Sequence, residues 1–185
     1  MHGEKDRDDA RWRVLAAESL HENPWFRVLK SAVRTPHGRE FTYFTLDFPR
    51  RAVGVVPRRK KEVLLIRQHR FIVDRFVWAI PSGGVEKAED GRVAAERELV
   101  EETGYRAQEL RELQRYFPSY GCGNQEFVLY EAEVAQEEPR AFDRDEVIEM
   151  RWFPEGEVKR MCFAGEIVDG LSLTPLLLLC AREGW

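Results

Sequence analysis

A chain of 185 residues, 43% hydrophobic and 34% charged with a net charge of -4, can bury one sizeable core; a second full domain and a dedicated nucleic-acid surface are both disfavoured. Three scattered cysteines, Cys122, Cys162 and Cys180, exclude a disulfide framework or a cysteine zinc site. The opening MHGEKDRDDA lacks an apolar signal stretch and the run Leu176 to Leu179 is far too short to span a bilayer, so the expectation is a soluble, cytoplasmic protein with neither membrane nor nucleic acid as partner.

After a polar tail at residues 1–10, an N-terminal β region is expected over 11–50 from three stretches, WRVLAA, FRVLKSAVRT and EFTYFTLDF. The last two are joined through Pro36, His37 and Gly38, a hairpin turn. The main domain, 51–185, opens with strands at AVGVVP and EVLLIRQHRF, and the basic run Arg58, Arg59, Lys60, Lys61 between them reads as a solvated turn. FVWAI then stops at Pro81 and passes into Ser82, Gly83 and Gly84, as a strand does before a sharp turn. A helix from about Glu89 to Thr103 is closed by Gly104. Strands follow near LQRYF, EFVLYEAEV and EMRWF, with Cys122 in a GCGN loop between the first two. LTPLLLLCARE closes the chain as a helix, with Thr174 as its cap and Pro175 in its first turn. This order specifies an α/β sandwich, a mixed β-sheet between helices, preceded by an antiparallel β-hairpin region.

The helix before Gly104 is poorly explained by stability alone. Glu98 lies four residues from Glu102 and three from Glu101, so three carboxylates mass on one flank, where each like-charged pair costs a few tenths of a kcal/mol. They also stand in the last turns, where the helix dipole is negative and each costs about 0.3 to 1 kcal/mol more. A hard divalent cation such as Mg²⁺ or Mn²⁺ reverses the sign of both effects. Arg97, four residues before Glu101, can pair with it and hold that carboxylate in place.

Gly83, Glu89, Arg97, Glu98, Leu99, Glu101, Glu102 and Gly104 stand at the spacing Gly-x5-Glu-x7-Arg-Glu-apolar-x-Glu-Glu-x-Gly. That spacing is the Nudix box, and the chain resembles a Nudix hydrolase. EVLLIRQHRF followed by FVWAIPSGG, with a β-hairpin before it, is similar to the ADP-ribose and nucleoside-diphosphate-sugar pyrophosphatase branch. FPSYGCGNQEFVLYEAE resembles that branch's loop and strand after the box, except that Tyr120 replaces a proline common there.

The resemblance implies a Nudix α/β/α sandwich and Mg²⁺-dependent (or Mn²⁺-dependent) hydrolysis of a diphosphate linkage, with ADP-ribose giving AMP and ribose 5-phosphate. It implies that Glu98, Glu101, Glu102 and the Ser82 carbonyl hold the metal, that Arg70 contacts the diphosphate, and that Trp25 and Tyr43 stack on the base, in some members across a homodimer. As isolated aromatics at strand spacing, Trp25 and Tyr43 read more often as core. Ser119 is a further substrate contact on the resembling loop. Glu146 is the expected general base, in FDRDEVIEMRWF, with Asp145, Asp143 or a box glutamate as alternatives. The competing readings are a Nudix enzyme for GDP-mannose, a nucleoside triphosphate or a dinucleotide, and a catalytically silent ligand-sensing domain, which the intact carboxylates disfavour.

Overall fold

In a computed structural model, residues 10–135, 139 and 141–185 are described; apart from Ala10, the expected polar tail lies outside them. They form two compact units, one from the first 49 residues and 119–125, the other from 50–118 and 126–185.

The first unit is a three-stranded antiparallel sheet of β1 (Arg13–Glu22), β2 (Arg27–Arg34) and β3 (Glu40–Asp47) in that order. Gly38, at φ 84°, makes the β2–β3 turn that only glycine adopts readily. Loop 119–125 joins this unit through its backbone, Leu46 N–H donating to the Cys122 carbonyl at 2.7 Å, and Asn124 accepts from Phe48 N–H at 2.7 Å.

The second unit is built on a seven-stranded mixed sheet. Its strands are β4 (Ala52–Arg59), β5 (Glu62–Arg70), β6 (Arg75–Ala79), β7 (Ser82–Gly84), β8 (Ala107–Tyr116), β9 (Phe127–Val134) and β10 (Glu149–Pro154). The spine runs β10-β5-β4-β9-β8, with β4 and β9 parallel and the other pairs antiparallel. Helix α1 (Gly91–Thr103) covers one face, and α2 (Glu155–Phe163) and α3 (Gly170–Glu183) cover the other. Because both faces are buried, the central strands read as continuous apolar runs that divide by alternation. Val53, Val55, Leu64, Val128 and Tyr130 pack with Ala94, Ala95 and Leu99 of α1, while Val56, Val63, Leu65 and Leu129 pack with Val158, Met161, Leu176 and Leu179 of α2 and α3.

Three local expectations need correction, and one helix was not expected. Helix α3 starts before Thr174: Asp169 is its cap, accepting from Ser172 N–H at 2.9 Å, and Pro175 lies inside the helix. Helix α2 went unread because Pro154 precedes it with no side-chain cap to announce it. Ser82, Gly83 and Gly84 form the short strand β7, paired with Gly54, Val53 and Ala52. Arg58 is not solvated: its side chain is only 15% exposed and is ringed by Glu131, Glu155 and Glu183. No helix among the described residues is long and apolar enough to cross a membrane.

Candidate active site

Strands β4 and β5 pair only near their shared turn, Arg58 with Val63 and Arg59 with Glu62. Beyond that they part, β5 continuing with β6 and β4 pairing with β7. The end of α1 lies over this opening. Its start is fixed by Asp90, whose carboxylate accepts from Arg92 N–H at 2.8 Å, and its end by Gly104 at φ 72°, which donates to the Val100 carbonyl at 2.8 Å.

Glu102 bridges the parted strands. Its Oε1 accepts from Gln68 Nε2 of β5 at 2.9 Å and its Oε2 from Ser82 N–H of β7 at 2.7 Å. The residue is 2% exposed, and burial pushes its carboxyl up to about 7 against those two hydrogen bonds, with Glu98 and Glu146 adding to the rise. Burial also raises the Glu98 carboxyl, an effect that Arg97 opposes and that Glu101 and Glu146 reinforce. Glu98, Glu101, Glu102 and Glu146 are therefore electrostatic neighbours.

Arg97 organises the exposed side of the group. It makes a bidentate pair with Glu89, Nε to Oε1 and Nη2 to Oε2 both at 3.0 Å, and donates to Glu98 at 2.8 Å, Glu101 at 3.0 Å and the Gly84 carbonyl at 3.0 Å. One guanidinium thus ties the start of the box to its end.

Gly83 explains the glycine. A Cβ there would stand 2.1 Å from Glu98 Oε1 and 2.2 Å from its Cδ, so the carboxylate occupies the place of the missing side chain. Gly83→Ala is expected to leave the fold intact, since only the end of a flexible side chain must yield, yet to lower turnover at least about 10-fold by displacing Glu98. Thermal melting and initial rates check this, and an unchanged rate would show that the seat of Glu98 is immaterial.

The donor set suits a divalent cation. Glu102 is buried without a cationic partner, accepts only from neutral donors, and lies within electrostatic reach of Glu146 and of Glu98, which is seated over Gly83. Among the described residues the groups are adjacent and do not yet converge on one point. Glu98 and Glu101 are turned toward Arg97 and must swing inward to ligate together.

Glu146 sits in a turn anchored to the same helix end. Asp143 N–H donates to the Glu101 carbonyl at 2.8 Å, and the Asp143 carboxylate accepts from Asp145 N–H at 2.8 Å, so Asp143 is engaged in its own turn. Arg70 ends β5, two residues beyond Gln68 and hence on the same side of the strand, the side that reaches Glu102.

The remaining expected contacts belong to the other unit. Trp25 is 72% exposed at a turn where Asn23 Oδ1 accepts from Trp25 N–H at 2.9 Å and Phe26 N–H at 3.0 Å. Tyr43 packs edge-on to Trp12, near Phe41, and donates its hydroxyl to the Gly121 carbonyl at 2.6 Å. Ser119 Oγ lies 2.9 Å from Cys122 Sγ.

Gln68 and the role of Glu89 escaped the sequence reading. Gln68 looks like the polar end of a strand, and no local spacing links it to Glu102, which is 34 positions away. Glu89 is a box position, but its pairing with Arg97 across eight residues skips the helix start and is not a helical neighbour contact.

Comparison with known proteins bears on the family and the fold. Residues 48–169 match the family model described as NUDIX domain, and residues 12–46 match one described as nucleoside diphosphate sugar hydrolase N-terminal domain. The chain is 29% identical over 174 residues to the CMP-5'-(N-acetyl-N-hydroxy-3-aminopropyl)phosphonate hydrolase of Streptomyces rubellomurinus, covering 94% of this chain and 84% of that protein. It is 24% identical over 173 residues to the ADP-ribose pyrophosphatase of Bacillus subtilis, covering 92% and 94% respectively. A solved structure described as an ADP compounds hydrolase shares the fold at a TM-score of 0.81 and 18% identity, covering 94% of this chain and 96% of that one.

Proposed function

The chain belongs to the Nudix hydrolase family, and on that premise we propose that it hydrolyses the diphosphate linkage of a nucleoside diphosphate sugar in a Mg²⁺-dependent reaction, with ADP-ribose yielding AMP and ribose 5-phosphate. The observation that carries this reading is Glu102, a buried carboxylate without a cationic partner beside Glu98 and Glu146. The resemblance of 92% of the chain to an ADP-ribose pyrophosphatase supports the substrate class.

Glu98, Glu101, Glu102 and the Ser82 carbonyl would hold Mg²⁺, with Mn²⁺ as a substitute. Bound there, the metal supplies neutralisation of phosphate charge and a lowered pKa for the attacking water. Arg97 releases and orients Glu98 and Glu101. Glu146 takes the proton of the attacking water, a role that its place beside Glu98 and Glu102 supports. Arg70 binds the diphosphate oxygens bidentately. Trp25, Tyr43 and Ser119 are the proposed contacts to base and sugar. The exposure of the Trp25 ring supports a stacking role: Trp25→Ala is expected to raise the Michaelis constant more than about 5-fold, the worth of roughly 1 kcal/mol of stacking, with turnover little changed. An unchanged constant in steady-state kinetics removes Trp25 from the site.

A homodimer is part of the proposal. Every residue of β1 is exposed, and Trp12, Val14, Leu20 and Phe44 expose large apolar surfaces in the same unit. Gel filtration with light scattering is expected to give about twice the 21.7 kDa chain mass, and an active species of one chain mass would refute it.

One finding favours a second reading, a nucleotide joined to a phosphonate. The Streptomyces relative is a hydrolase of that kind, and Tyr120, 87% exposed, stands where a proline is common in the sugar-nucleotide branch. Chromatography of products after incubation with Mg²⁺ separates the readings. The panel is ADP-ribose, ADP-glucose, GDP-mannose, a CMP-linked phosphonate, a dinucleotide and nucleoside triphosphates. AMP and ribose 5-phosphate from ADP-ribose are expected; cleavage of triphosphates alone would overturn the proposal.

A further inference from the structure

Gln68 is a buried polar residue that its own strand does not require. It is 2% exposed on β5, paired in register with Val77 of β6, in a sheet whose other central positions are apolar. Its Nε2 donates to Glu102 Oε1 at 2.9 Å, while its Oε1 is buried with no partner among the described residues. A buried acceptor left without a donor opposes folding, and a leucine here would avoid that cost. The side chain is therefore explained by what it does to Glu102 and by what its vacant carbonyl can accept.

The amide has one orientation that serves a charged Glu102. With Nε2 toward the carboxylate, Gln68 and Ser82 N–H each take one lone pair of a different oxygen, which fixes the rotation of the carboxylate plane and leaves its other lone pairs for a ligand. The same orientation leaves Oε1 a buried acceptor with no partner among the described residues, so it can accept a hydrogen bond from a water. Mg²⁺ keeps several waters when it binds protein carboxylates, and such waters need acceptors.

We propose that Gln68 is a positioning residue for the divalent cation site: its amide N–H locks the Glu102 carboxylate in ligating orientation, and its free carbonyl accepts a hydrogen bond from the cation's hydration water. This rests on the reading of Glu98 and Glu102 as metal ligands. Partners of this kind alter metal affinity by about 10- to 100-fold when removed.

The test is calorimetric titration of Mn²⁺ into the full chain without substrate, comparing wild type with Gln68→Met, which keeps the length and removes both polar groups. Melting temperature in EDTA is measured alongside. The expected result is a Mn²⁺ dissociation constant about 10- to 100-fold weaker, with a melting temperature in EDTA close to that of wild type, since one orphaned acceptor is removed while Glu102 Oε1 loses its donor. Saturating Mg²⁺ should restore most of kcat while KM for the nucleotide stays unchanged. Gln68→Leu serves as the second variant if Gln68→Met does not fold. A dissociation constant within about 2-fold of wild type overturns the assignment, as does a variant whose only change is a lower melting temperature. If wild type itself binds no Mn²⁺, the metal reading fails and the role of Gln68 falls with it; normal binding by both proteins overturns Gln68 alone.

Discussion

Glu102→Gln is expected to lower Mg²⁺-dependent turnover by about 100-fold or more while stabilising the metal-free protein, and Glu98→Gln to lower turnover comparably. The loss follows from removing a ligand charge that offsets several kcal/mol at the reacting phosphate, at tenfold per 1.4 kcal/mol. The gain follows from burial. Glu102 has a folded pKa raised from 4.5 to about 7, so the folded state holds its proton more tightly than the unfolded chain does. Stability is therefore fully present below pH 4.5 and is lost as pH rises to about 7, by at most about 3 kcal/mol. A neutral glutamine escapes that loss. Its Oε1 can accept from Ser82 N–H, and its amide can donate to the vacant Gln68 carbonyl, which meets it once the Gln68 side chain turns over. Melting in EDTA at pH 8 should rise by a few degrees for Glu102→Gln, and the difference from wild type should vanish near pH 4. A variant that is both active and less stable at pH 8 would contradict the role given to Glu102.

The second large effect lies at the far end of β4. Arg58 donates to Glu155 at 2.6 Å and to Glu183 at 2.8 and 2.7 Å, and also pairs with Glu131, which Arg111 shares. Burial opposes its charge, but these hydrogen bonds more than restore it and raise its pKa. One side chain thereby fastens β4, β9, α2 and α3 together. Arg58→Met would leave Glu155, at 14% exposure, a buried charge without its guanidinium, and Glu131, at 13%, with Arg111 alone. A loss of about 3 kcal/mol is expected, in the range for breaking a buried pair. Urea denaturation followed by far-UV circular dichroism measures it. A loss below about 0.5 kcal/mol would mean that water reaches these glutamates and the hub is ornamental to stability.

The two ends of β4 show what a sequence exposes and what it hides. The box was legible because its logic is local: Gly83, Arg97, Glu98, Glu101 and Glu102 are fixed by helical spacing and by glycine caps, both of which leave marks at short range. The strands of the sandwich were legible because both faces are buried and their apolar runs are unbroken. Helix α2 carried no cap, and α3 took Asp169 in place of the more conspicuous Thr174 and Pro175. Arg58 looked like one of four basic turn residues, because its three glutamate partners come from β9, α2 and α3 and are distant in sequence. Gln68 was hidden for the same reason, its meaning set by Glu102 across the gap between strands.

The central claim is that the carboxylates at the end of α1 form a divalent cation site for diphosphate hydrolysis. The most direct test is anomalous diffraction from crystals grown with Mn²⁺ and a non-hydrolysable methylene analogue of ADP-ribose. An anomalous peak is expected within about 2.5 Å of carboxylate oxygens from both Glu98 and Glu102, with the analogue's diphosphate against it. A peak elsewhere, with Glu98 still held by Arg97 and Glu102 by Gln68 and Ser82 alone, would contradict it.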